Sequence, residues 1–166
     1  MTLPSAETLF DTLVEQLRPA ISPETALVGI HTGGAWLAER LHAALGLAVA
    51  PGSIDVSFYR DDFSAKGLPA RPRRSTIPFP VDDAHILIID DVLYTGRTTR
   101  AALNELFDYG RPASVQLAVL VDRGGRELPI AAQYCALTLP AALPATQTLE
   151  LGREENGTLT LRLTDA

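Results

Sequence analysis

Four apolar residues in succession, Ile86-Leu87-Ile88-Ile89, run without a break into two aspartates, Asp90-Asp91, and then through Val92-Leu93-Tyr94 to Thr95-Gly96-Arg97-Thr98. A run of that kind reads as a strand buried on both faces, which is the mark of a parallel sheet with helices covering each side. What lies just beyond such a strand sits at the carboxyl end of the sheet, where open α/β folds bind their ligands. This segment therefore limits both the architecture and the place to look for chemistry.

The flanking pattern agrees. Leu9, Phe10, Leu13, Val14 and Leu17 mark one face of a helix between Pro4 and Pro19, and Ala26-Leu27-Val28-Gly29-Ile30 reads as a short buried strand. A glycine turn, His31-Thr32-Gly33-Gly34, leads into a helix from Ala35 to Leu45, which Gly46 closes. Ser53 to Tyr59 alternates apolar and polar residues like a half-buried strand, and Thr99 to Tyr109 reads as a helix. Further strands are expected at Ser114 to Val121 and Tyr134 to Leu139. Thr148 to Leu151 and Thr158 to Leu163, around Asn156-Gly157, should form a terminal hairpin. Strands alternating with helices give an α/β fold with a mostly parallel central sheet and helices on both faces. With 166 residues and no linker or repeat, residues 1–166 are expected to form one domain.

Charge is unevenly spread. Between Phe63 and Val81 every charged residue is basic (Lys66, Arg71, Arg73 and Arg74), so that stretch carries +4 and leaves −10 on the rest of a chain whose net charge is −6. The stretch lies within 60–80, which also holds Gly67 and the four prolines Pro69, Pro72, Pro78 and Pro80. A loop of that length in a compact domain is usually a functional lid or a disordered segment. An acidic chain with pI near 5.0 argues against broad nucleic-acid binding, while a basic loop on an acidic body suits a small polyanion. No apolar run reaches membrane-spanning length, and the first 22 residues lack the order of a signal peptide. The single cysteine, Cys135, fits a reducing compartment, and a cytoplasmic location is expected.

The chemistry follows from residues 90–98. A turn before a helix presents backbone N–H groups from Thr95 to Thr98 at the positive end of that helix, where an anion is favoured. Gly96 permits close approach, and the hydroxyls of Thr95 and Thr98 add donors. Asp90 and Asp91 would repel a phosphate, so they must face another part of the ligand. Carboxylates accept bonds from a vicinal diol and can hold the hydration shell of Mg2+. Phosphate and diol together describe a pentose phosphate. Gly96-Arg97-Thr98 echoes the end of a Walker A loop, but that loop needs glycine where Asp91 stands and lysine where Arg97 stands. Two aspartates that merely cap a turn would leave the remaining seven residues without a purpose.

Ile86 to Thr98 resembles the phosphoribosyl-pyrophosphate (PRPP) motif of type I phosphoribosyltransferases. Three segments, 54–62, 90–98 and 110–130, are similar to the bifunctional pyrimidine operon regulatory protein/uracil phosphoribosyltransferase family, and the likeness covers most of Val28 to Ile130. The resemblance implies a type I phosphoribosyltransferase-like fold that joins uracil to PRPP, giving UMP and pyrophosphate, with Mg2+ entering on PRPP and Asp90 and Asp91 as the candidates to hold it. Asp90, Asp91, Arg73 and Arg74 would be the catalytic residues. Thr32, Gly33, Gly34 and Arg60, with Asp90, Asp91, Val92, Leu93, Tyr94, Thr95, Gly96, Arg97 and Thr98, would bind PRPP or nucleotide. Val121, Asp122 and Arg123 would contact the base, beneath a small hood at about 122–130. The segment at about 60–80 would be a mobile loop that closes over the reaction. Members of the family usually carry Thr-Arg-Gly where this chain has Thr32-Gly33-Gly34, which removes a positive charge beside the leaving group; Arg73 and Arg74 are the candidates to replace it.

The same resemblance implies regulation of pyrimidine genes through leader RNA, with no DNA or membrane partner, and a dimer or dimer of dimers. RNA binding needs a basic surface. The first 28 residues offer Arg18 against Glu7, Asp11, Glu15 and Glu24, so the candidates are Arg111, Arg123, Arg126 and Arg153. A phosphoribosyltransferase for a wider base such as hypoxanthine is the other alternative. His31 is placed to touch ligand but reads more simply as a solvated turn residue, Trp36 and Cys135 read as packing residues, and His42 and His85 lack any ligand-spaced partner. Tyr94 could serve as a subunit contact or as a cover over ribose.

Overall fold

The computed structural model describes residues 1–57 and 75–165. Its elements run α1 (Ala6–Leu17), β1 (Ala26–Ile30), α2 (Gly33–Leu45), β2 (Gly52–Ile54), β3 (His85–Leu93), α3 (Arg97–Tyr109), β4 (Ser114–Asp122), β5 (Tyr134–Thr138), β6 (Gln147–Arg153) and β7 (Leu159–Asp165). Five strands form a parallel sheet in the order β2-β1-β3-β4-β5, and β6 and β7 pair antiparallel as a separate hairpin.

The apolar run at the centre of β3 is buried on both faces, as its sequence requires. Leu87 and Ile89 pack with α1 and α2, through Leu13, Leu17, Leu37 and Leu41. Ile86 and Ile88 face the other way, onto Ala101, Ala102 and Leu106 of α3. The same division runs through β1, where Leu27 takes the first side and Val28 and Ile30 the second. Each such side chain, fully buried, contributes about 1.5–3 kcal/mol of transfer free energy, so the two layers hold the sheet from either side. Ser5 caps α1 by accepting the Thr8 N–H at 3.1 Å.

The hairpin adds Leu149, Leu151 and Leu159 to the α1/α2 layer. Its turn is the Asn156-Gly157 pair: Gly157 takes a φ of 89°, and Asn156 Oδ1 accepts the Thr158 N–H at 3.0 Å. Glu7 fixes the hairpin to both helices of this layer. Its carboxylate takes a two-pronged bond from Arg40 at 2.8 Å on each arm and accepts the Leu159 N–H at 2.8 Å. The Arg40 hydrogen bond is the largest cause holding the Glu7 carboxyl below its ordinary range, and Glu7 in turn raises Arg40.

Three expectations need correction. The helix after the first strand starts at Gly33 rather than Ala35, so both glycines belong to its first turn. The helix after the cradle starts at Arg97 rather than Thr99. The strand expected from Ser53 to Tyr59 ends at Ile54, because Asp55 Oδ1 accepts both the N–H and the hydroxyl of Ser57 and turns the chain. Phe58 and Tyr59 lie outside the described residues, as do Arg60, Lys66, Arg71, Arg73 and Arg74.

Candidate active site at the carboxyl end of the sheet

Strand β3 carries Asp90 and Asp91 to the carboxyl end of the sheet. Asp90 is buried and Asp91 half-buried; each fixes the backbone beside it, with Asp90 Oδ1 accepting the Asp91 N–H at 2.9 Å and Asp91 Oδ1 the Val92 N–H at 2.8 Å. The chain then turns at Gly96, whose φ of 95° is left-handed, and enters α3. The start of a helix, at the positive end of its dipole, suits an anion. Thr95 Oγ1 accepts the Arg97 N–H at 3.2 Å, which shapes the turn. Asp90, Val92, Leu93, Tyr94, Thr95, Gly96, Thr98 and Thr99 together line one concave pocket. The structure thus brings Asp90 and the cradle to a single hollow, with Asp91 the next residue along the strand.

Thr32, Gly33 and Gly34 join them from β1 and α2. The His31–Thr32 peptide is cis, and Thr32 is the residue ahead of the first turn of α2. A side chain on Gly33 would run into the Asp91 carboxylate, with the Asp91 Cγ only 2.9 Å from the added carbon. One on Gly34 would meet the backbone of β3, at 3.1 Å from Asp90 Cα and closer still to the Ile89 carbonyl. Glycine at 33 and 34 therefore lets the head of α2 lie directly against the acids.

The other wall is the segment after β4. Asp122 Oδ1 accepts the Gly124 N–H at 3.0 Å, and Gly124 and Gly125 both take positive φ, at 74° and 88°. Val121 is buried in the core, within the α1/α2 layer. Arg123, which the family resemblance sets against the base, is instead 4% exposed with its side chain turned inward. It stacks over the Tyr94 ring at 3.9 Å and donates to Gln147 O at 2.8 Å, Pro144 O at 3.0 Å and Leu143 O at 3.4 Å. Its guanidinium ties the start of the hairpin to the cradle. Tyr94 is accounted for in the same way, its ring held between Arg123 and Gly125.

Sequence reasoning gave Arg126 no place in this site. Its guanidinium bridges the cradle and the hood, donating to Tyr94 O and Asp122 Oδ2 at 2.6 Å each and to Ile130 O at 2.8 Å. No spacing rule marks it, since Asp122 and Arg126 pair across a loop and not along a helix. Of the four arginines named for RNA, Arg123 and Arg126 are engaged internally and Arg153 stacks 4.6 Å from Trp36.

A parallel sheet with two acids at the end of its central strand and a helix starting just beyond fits a phosphoribosyltransferase type of domain, and residues 6–140 match the phosphoribosyl transferase domain model. The chain is 51% identical over 156 residues to the bifunctional protein PyrR of Ralstonia nicotianae, covering 92% of this chain and 88% of that one. It is 47% identical over 159 residues to the PyrR of Pseudomonas aeruginosa, covering 93% and 88%. The chain belongs to the phosphoribosyl transferase domain family and, within it, to the bifunctional PyrR proteins. Solved structures share the fold at lower identity. A hypoxanthine-guanine phosphoribosyltransferase of Bacillus anthracis matches with a TM-score of 0.66 at 18% identity over 84% of each chain. The hypoxanthine phosphoribosyltransferase of Trypanosoma cruzi matches with 0.63 at 23% identity, covering 83% of this chain and 81% of that one.

Proposed function

We propose that this chain is a uracil phosphoribosyltransferase, converting uracil and PRPP to UMP and pyrophosphate, and that it also regulates pyrimidine biosynthesis genes in response to UMP and PRPP. The observation that carries the reading is the joining of Asp90 and Asp91 to an anion cradle at the head of α3, in a chain of the PyrR family.

The cradle at 95–98 holds the 5-phosphate, and Asp90 and Asp91 accept bonds from the ribose diol. Attack by uracil N1 at C1 forms the N–C bond as the C1–oxygen bond to pyrophosphate breaks, and the N1 proton is lost. Positive charge builds on the sugar in that step, as in glycoside hydrolysis, and two fixed carboxylates beside the ring stabilise it. The N–H groups of Gly33 and Gly34, at the positive end of α2, receive the departing pyrophosphate. Backbone groups of the hood, beside Val121 and Asp122, read the pyrimidine edge. A hard cation binds through one or two carboxylates plus substrate phosphates, so two acids beside an anion cradle fit Mg2+, which when bound would neutralise charge on pyrophosphate. Arg73 and Arg74 keep the leaving-group role, and Arg60 the PRPP contact, that the sequence suggests; all three lie outside the described residues.

Pyrophosphate release measured with PRPP plus uracil, plus hypoxanthine, or with no base tests the reading. Release with uracil alone is expected; release with hypoxanthine alone would transfer the assignment to a purine enzyme.

A further inference from the structure

The cradle and the hood meet along one seam. Glu127 N and Leu128 N both donate to Thr95 O, at 2.9 and 3.1 Å, so the residue before Gly96 carries two bonds from the hood. Arg123 N donates to Leu93 O at 3.0 Å. Ile130, at the far end of the hood, lies against Gly96, its Cβ 3.0 Å from where a Gly96 side chain would begin.

Side chains cross the seam as well: Arg97 Nε donates to Glu127 Oε1 at 2.9 Å in an exposed pair, Arg123 stacks on Tyr94, and Arg126 makes the most bonds. Arg126 takes a carbonyl of the cradle loop (Tyr94), a carboxylate at the end of β4 (Asp122) and a carbonyl of the hood (Ile130) with three different nitrogens. The other Asp122 oxygen is held by Gly124 N–H, so that carboxylate is fixed at both ends. A planar guanidinium with a rigid fork of donors can hold three acceptors in one geometry; a lysine ammonium, a single point on a flexible stem, cannot.

We propose that Arg126 is a positioning residue that makes base recognition depend on occupancy of the phosphate cradle. An anion that orders 95–98 fixes the Tyr94 and Thr95 carbonyls; through Arg126 and the two Thr95 bonds it also fixes the hood whose backbone meets the base. This inference rests on the phosphoribosyltransferase reading above.

The test uses the full chain. Uridine affinity is measured by titration with and without saturating inorganic phosphate, and steady-state constants are measured for uracil and PRPP. In the unaltered protein, phosphate should tighten uridine binding at least five-fold. Arg126→Gln should abolish that gain and raise KM for uracil at least ten-fold, while kcat at saturating uracil falls less than three-fold. Arg126→Lys, which keeps the charge if the Gln variant folds poorly, should recover only part of the gain. Arg40→Gln, which opens the distant pair with Glu7, should lower Tm yet keep the full phosphate effect. An Arg126→Gln protein that retains the phosphate effect overturns the inference. So does one in which kcat and both KM values worsen together in step with Tm, and so does an active unaltered protein with no phosphate effect. If the unaltered protein does not turn over uracil at all, the functional reading fails, and the inference fails with it.

Discussion

Gly33 and Gly34 are neighbours in one helical turn, yet alanine at each should do opposite things. At Gly34 the new carbon would meet the Ile89 carbonyl and lie 3.1 Å from Asp90 Cα and 3.2 Å from Ile89 C, all backbone atoms of the central strand. None of them can move without dragging β3, whose pairing with β1 and β4 fixes it on both sides. Overpacking of this kind costs about 1–3 kcal/mol, and with only backbone to give way the upper figure applies. At about 2–4 °C per kcal/mol for a chain of this size, Gly34→Ala should lower Tm by about 6–12 °C. At Gly33 the carbon meets the far end of a side chain, the Asp91 carboxylate, which can rotate away. The fold loses little there, and alanine's higher helix propensity offsets part of the loss, about 0.5–1 kcal/mol at most. Activity should suffer instead, because Asp91 is turned from its place: kcat/KM for PRPP should fall at least ten-fold while Tm stays within about 3 °C. Thermal unfolding and pyrophosphate release on the two variants give the answer. Equal Tm losses, or Gly34→Ala melting like the unaltered protein, would refute the packing of α2 against β3 described here.

Two other expectations follow. Asp91→Asn keeps the acceptor for Val92 N–H but removes the charge proposed to face the sugar, so kcat should drop about a hundred-fold, near 2.7 kcal/mol, with Tm preserved; near-normal turnover would contradict the role. Glu7→Gln concerns stability alone. The Glu7 carboxyl is held below its ordinary range chiefly by the Arg40 hydrogen bond, so its contribution is full at neutral pH and is lost as pH falls through the folded-state value. The pair is about one-third exposed, which limits the effect to about 1 kcal/mol. A Tm gap of about 2–4 °C between Glu7→Gln and the unaltered protein at pH 7 should therefore close in acid; a gap that widens below pH 4 would reverse the sign of the argument.

How far the sequence reveals this molecule depends on whether a signal is local. The β3 strand was legible because four adjacent apolar residues admit only burial on both faces, and the hairpin because Asn156-Gly157 is a turn in itself. The end of β2 was misjudged because alternation survives without a strand. Val56 is buried as the pattern demands, but Asp55 bends the chain through its own side chain. Gly33 and Gly34 looked like a loop since glycine disfavours helix. Only the closeness of β3 explains why a helix begins there, and that is a fact of packing. Arg123 was assigned to the base because its sequence neighbours form the hood. The carbonyls that claim it, at Leu143, Pro144 and Gln147, are about twenty residues away in sequence and come back to it through β5.

A crystal structure with UMP bound puts the central claim at greatest risk. It should place the nucleotide phosphate on the N–H groups at 95–98 and the ribose hydroxyls within hydrogen-bond distance of Asp90 and Asp91. A phosphate seated elsewhere, or a ribose with both carboxylates turned from it, would contradict the account.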